Sequence, residues 1–217
     1  MSGRAGSGDR VDPPPARGLD PLLREAIERG ERSGLPPLDP RVLRLLGIVA
    51  RERGVGRILE IGRGLGVTTV CLARAAPRAR VISLDGSGAR VDEAAELLRR
   101  AGVESRVTLS TGAPLDAIRE LEGRFELIHL CVEPAEVIRL ADRLLPVLEV
   151  GGLLVARGLA PQERVRPVEP GRPERASAAA GYLLMHPQLD ALQLELGDGV
   201  LLARKTAPLV TELGGPF

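Results

Sequence analysis

Between residues 57 and 157 the chain alternates short apolar runs with helical patterns. "GRILEIG", "RVISLD", "RVTLST", "FELIHLC" and "GGLLVARG" read as strands. "GVTTVCLARAAP", "ARVDEAAELLRRAGV", "PLDAIREL" and "EPAEVIRLADRLLPVL" between them read as helices. Near-continuous apolar strands, each followed by a helix, dictate an α/β fold with a mostly parallel, doubly wound sheet covered on both faces. The final stretch "DALQLELGDGVLLARK" reads as two strands joined at "GDG", so an antiparallel hairpin is expected to close one edge.

Other segments frame this core. Residues 1–18 are rich in Gly, Pro and Arg and are expected to be a disordered lead. Residues 19–207 are expected to form one domain, with 19–53 as N-terminal helices and 208–217 as a tail. Asp39 followed by Pro40 is a helix start. "APQERVRPVEPGRPERA", from 160, is polar and Pro-rich and reads as a loop or lid, in which Arg164, Arg166, Arg172 and Arg175 could meet an anion.

Composition narrows the function classes. The net charge of +1 gives no electrostatic reason to expect nucleic acid or an anionic membrane as a partner. No apolar run approaches the roughly 20 residues that a membrane span needs. Cys71 and Cys131 lack metal-type spacing and sit in apolar surroundings, which suits a reducing cytoplasm. With only Phe125, Tyr182 and Phe217 as aromatics, the chain offers no stacking platform for a planar acceptor.

The first strand ends in Glu60 and runs into Gly62, Gly64 and Gly66. The third glycine of the dinucleotide pattern G-x-G-x-x-G would fall on Val67, so that fingerprint is not met. Asp85 ends the second strand, where a carboxylate can accept both hydroxyls of a ribose. Two acids flanking a glycine loop suit a ligand with an amino group at one end, a ribose at the other and no pyrophosphate. S-adenosylmethionine has those features; NAD, another nucleotide, or glycines serving only a tight turn are the other readings.

The ordered set "LPPLDPRVLRLLGIVARERGVGRILEIGRGLGVTT", "VISLDGSGARVDEAAELLRRAGVESRVTL", "FELIHLCVEPAEVIRLADRLLPVLEVGGLLVARG" and "HPQLDALQLELGDGVLLARK" resembles the class I S-adenosylmethionine-dependent methyltransferases. Within them it is similar to the small O-methyltransferases of the catechol and caffeoyl-CoA type. The resemblance implies a seven-stranded Rossmann-like fold, a small-molecule acceptor and a homodimer. It assigns the cofactor to Glu60, Gly62, Gly64, Gly66 and Asp85, with Gly112 and Ala113 beside the adenine, where the family carries Gly-Asp-Ala.

On the acceptor side this chain departs from the pattern. Cys131 stands at a metal-ligand Asp, Glu133 at a second Asp, Pro134 at the lysine near the acceptor, and Arg157–Gly158 at an Asp-Asn metal pair. A hard dication wants oxygen ligands, so no metal is expected. His129 and Glu133 could act as a general base with its orienter, and Arg157 could hold an anionic acceptor. His129 reads as well as a structural imidazole, and Cys131 as a small buried hydrophobe. The function implied is metal-independent O-methylation of a small molecule; the alternative is a methyltransferase-like protein with a regulatory or structural role.

Overall fold

The computed structural model describes residues 18–52, 54–160 and 170–207. Two N-terminal helices come first, α1 (Pro21–Arg32) and α2 (Pro40–Ala50). Each starts with proline after an aspartate cap. Asp20 accepts from the Leu22 amide at 2.8 Å, and Asp39 accepts from the Arg41 amide at 2.7 Å. Strand and helix then alternate: β1 (Arg57–Ile61), α3 (Val67–Ala75), β2 (Arg80–Asp85), α4 (Val91–Ala101), β3 (Val107–Thr111) and α5 (Pro114–Arg119). The second half holds β4 (Phe125–Leu130), α6 (Pro134–Leu144), β5 (Leu148–Arg157), α7 (Arg172–Leu184), β6 (Leu189–Leu194) and β7 (Val200–Lys205).

The sheet has seven strands in the order β3-β2-β1-β4-β5-β7-β6. β1 to β5 pair in parallel, and β7 runs antiparallel to both β5 and β6. The expected doubly wound sheet and its C-terminal hairpin are therefore present. Alternate strand residues feed two cores. Ile58, Val81, Leu127 and Val155 pack with α1 to α4, while Leu59, Leu84, Ile128 and Leu154 pack with α6 and α7. The strand order reverses between β1 and β4, which opens a crevice beyond their carboxyl ends, the usual ligand position in such sheets.

Two elements differ from the sequence reading. α6 ends at Leu144, four residues earlier than its apolar pattern suggests: Leu145 keeps helical backbone and donates to Ala141 O at 2.9 Å, but Pro146 supplies no N–H to continue the ladder. The far end of the Pro-rich loop is helical, since α7 begins at Arg172 with Gly171 at φ 79° as its cap and Pro173 in its first turn. The rest of that loop, with Arg164 and Arg166, lies outside the described residues, as do the N-terminal lead and the tail.

Candidate active site

The crevice starts at the carboxyl end of β1. The register places Glu60 beside Ser83 of β2 and His129 of β4, on the face covered by α3. All three are fully buried, and the first turn of α3 adds Thr68 and Thr69. The Glu60 carboxylate accepts from the hydroxyls of Thr68, Thr69 and Ser83, the last at 2.8 Å, and meets His129 Nδ1 at 3.3 Å. Burial alone raises a carboxyl pKa, but the His129 contact and the threonine bonds outweigh it and hold Glu60 below the usual range. Glu60 thus fastens β1, β2, β4 and α3 together under the glycine loop.

The loop passes as close to its neighbours as glycine allows. A Cβ on Gly62, at φ 90°, would lie 1.9 Å from the Cys131 carbonyl oxygen. Gly62 donates to Leu84 O at 2.9 Å, and Cys131 donates to Ile61 O at 2.8 Å. The Gly64 amide donates to Asp85 Oδ2 at 3.0 Å, and Ser87 N donates to Oδ1 at 2.9 Å. Gly66, at φ 83°, caps α3 against Ala94 of α4.

An open cleft of about 260 Å³ lies over this loop. Asp85 and Arg90 line one end. Cys131, Glu133, Arg157, Gly158, Arg172 and Asp198 line the other, and Ile27 of α1 with Leu35, Pro36 and Leu38 forms an apolar wall. Arg157, 5% exposed, points its Nη2 at Asp198 Oδ2 at 3.1 Å and its Nε at Oδ1 at 3.4 Å. Burial disfavours its charge, yet the Asp198 carboxylate beside it more than restores it near neutral pH, so the guanidinium stays charged. Burial pushes the Cys131 thiol up, against the pull of Arg157, and keeps it neutral near pH 7. Arg172 Nε sits 3.5 Å from Glu133, an exposed carboxylate.

Of the residues the sequence pointed to, Gly62, Gly64, Asp85, Glu133 and Arg157 meet in this cleft. Glu60, Gly66 and His129 do not line it. His129 is fully buried and bonded to Glu60, as a structural imidazole would be, and the candidate His129–Glu133 pair is not formed. The alternation that put them on one side fails because β4 stops at Leu130 and the chain leaves the sheet before Glu133. Gly112 and Ala113 lie exposed at the start of α5, beside the end of β2 through the Gly112 amide on Asp85 O at 3.1 Å. Sequence reasoning missed Arg90, Asp198 and Arg63, a buried loop residue in the cleft lining whose Nη1 donates to Ser83 O at 3.0 Å and Ser110 O at 3.1 Å. Asp198 was read as a turn residue; only the pairing of Arg157 with Val200 brings that turn to the cleft.

The O-methyltransferase family model matches residues 39–206. A catechol O-methyltransferase from Mycobacterium tuberculosis is 33% identical over 117 residues, covering 52% of this chain and 53% of that protein. The chain spans about half the length of the first curated relatives it matches. Among solved structures, cofactor-bound Rv0187 from MTB is 26% identical, with a TM-score of 0.76 over 87% of this chain and 91% of its own. The O-methyltransferase TomG from Streptomyces achromogenes, solved with SAM, shares the fold at 23% identity and TM-score 0.73, covering 87% of this chain and 91% of its own.

Proposed function

Because the chain belongs to the O-methyltransferase family, we propose that it transfers the methyl group of S-adenosylmethionine to an oxygen of a small molecule without a metal ion. When bound, the cofactor supplies an electrophilic methyl on its sulfonium. The described residues fit it. Gly62 and Gly64 leave the loop backbone bare, and each Asp85 oxygen takes only one amide N–H, leaving acceptor sites for ribose hydroxyls.

They do not fit a divalent ion. Cys131, Arg157 and Gly158 stand where the family resemblance puts oxygen ligands. Among the described residues no group of three or more His, Cys, Asp or Glu could hold one. The observation that carries the reading is Arg157, a buried permanent cation in the metal's place, facing the same cleft as the glycine loop. The open space between them supports turnover over a purely regulatory or structural role.

Both cysteines are free, which supports a cytoplasmic location. The near-neutral chain supports a small-molecule acceptor over nucleic acid, and no described helix is long and apolar enough to cross a membrane. We take the assembly to be a homodimer, in line with the family resemblance. Calorimetric titration with S-adenosylhomocysteine, in EDTA and then in excess Mg²⁺, tests the reading. Saturable binding that ignores the ion is expected; absent or ion-dependent binding overturns it.

A further inference from the structure

We infer that the methyl acceptor is an oxygen acid already ionised before it binds, a carboxylate in the first instance, held by Arg157. The inference rests on the methyl-transfer reading above and deepens it. Its first support is the absence, among the described residues of the cleft, of a group suited to deprotonating a hydroxyl. A general base works best with a pKa near the working pH. His129 is fully buried beneath the glycine loop with Nδ1 on Glu60. The Cys131 thiol stays protonated. Asp85 accepts two backbone amides, Asp198 faces Arg157, and Glu133 faces Arg172. Glu31 is an exposed carboxylate of α1 at the rim, on the opposite wall from Arg157 and Arg172.

The second support is the geometry of Arg157. Its contacts to Asp198, at 3.1 and 3.4 Å, are longer than the roughly 2.7–2.9 Å of a well-formed charge-assisted pair. Asp198 takes the Nε–Nη2 edge, which leaves the Nη1 hydrogens for a second anion. Arg172 brings another guanidinium to the same end and is anchored there by a 3.4 Å contact to Gly158 O.

The chemistry closes without a base. A lone pair of the acceptor carboxylate forms the new O–C bond while the C–S bond breaks, and that bond's electron pair stays on sulfur. The negative charge of the acceptor and the positive charge of the sulfonium vanish together, and no proton remains to be removed. Two opposite charges that neutralise each other gain from the partly apolar setting that Leu35, Pro36 and Leu38 give the cleft.

The test uses the full chain saturated with S-adenosylhomocysteine. Acetate, octanoate and benzoate are titrated into the complex by calorimetry, each against its neutral primary amide. At least one acid is expected to bind about tenfold or more tightly than its amide, and Arg157→Gln should weaken it by about tenfold or more. Arg157→Lys should recover part of that loss. Undiminished S-adenosylhomocysteine binding by both variants shows that they are folded. The inference is overturned if no acid binds at millimolar concentration, if an amide binds as tightly as its acid, or if Arg157→Gln leaves acid binding unchanged. Failure of wild-type chain to bind S-adenosylhomocysteine instead removes the reading on which the inference stands.

Discussion

At the scale of single residues, the neighbourhood of the glycine loop was legible because its logic is local, although Glu60 lies beneath the loop and not in the cleft. Glu60, Gly62, Gly64 and Asp85 lie at strand ends and in one loop, so sequence order alone nearly fixes their neighbourhood. The partner of His129 was not legible, because it depends on the parallel register that sets β4 against β1. Glu60 carries a testable acid dependence. Its folded pKa is depressed, so its contribution is fully present above the ordinary value of 4.5 and is lost as pH falls through the lower folded value. Urea midpoints measured from pH 7 down to 3 should therefore drop for wild type, and Glu60→Gln should be less stable at pH 7 but flatter below 4.5. His129→Ala opens a buried space and removes one Glu60 contact. A loss of about 2 kcal/mol is expected, with methyl transfer and S-adenosylhomocysteine binding falling together. A fall in transfer alone would return His129 to the chemistry.

At the scale of elements, caps and breakers explain both the agreement and the misses. The Asp39–Pro40 start was plain from sequence, and Asp39→Ala should cost about 1 kcal/mol in a denaturant melt. The end of α6 required weighing Pro146 against a helical apolar pattern that continues through it, and the pattern was the weaker signal. α7 was hidden because Pro, Arg and Glu at its start resemble a solvated loop until the Ala-rich turns that follow are placed against β6. The glycine loop separates two uses of the same residue type. Gly62→Ala drives a Cβ into the Cys131 carbonyl, so a loss of about 3 kcal/mol or more and no cofactor binding are expected. Gly64→Ala also sits at positive φ, but its Cβ meets Leu35 at 3.4 Å, an ordinary contact; about 1 kcal/mol is expected there. Equal losses in thermal melts would show that the close approach to β4 does not govern the loop.

At the scale of the whole molecule, the alternating pattern announced the sheet, while the acceptor end could be read only by what it lacked. Cys131, Arg157 and Gly158 signalled a departure from the family, but the residues that now meet there come from β5, the β6–β7 turn and α7, far apart in sequence. The proposed homodimer belongs to this scale as well. Exposed Ile48 of α2 and Leu192 of edge strand β6 are positions a partner could cover, and light scattering at tens of micromolar should give twice the chain mass; a monomer mass refutes the dimer. The central claim is that a charged guanidinium has replaced a metal beside a working cofactor cleft. A crystal structure of the S-adenosylhomocysteine complex grown with Mn²⁺, with anomalous data, tests it most directly. The account predicts the ribose on Asp85, the sulfur facing the Arg157 end and no anomalous peak in the cleft. A manganese peak among Cys131, Glu133 and Asp198, with Arg157 swung aside, would contradict it.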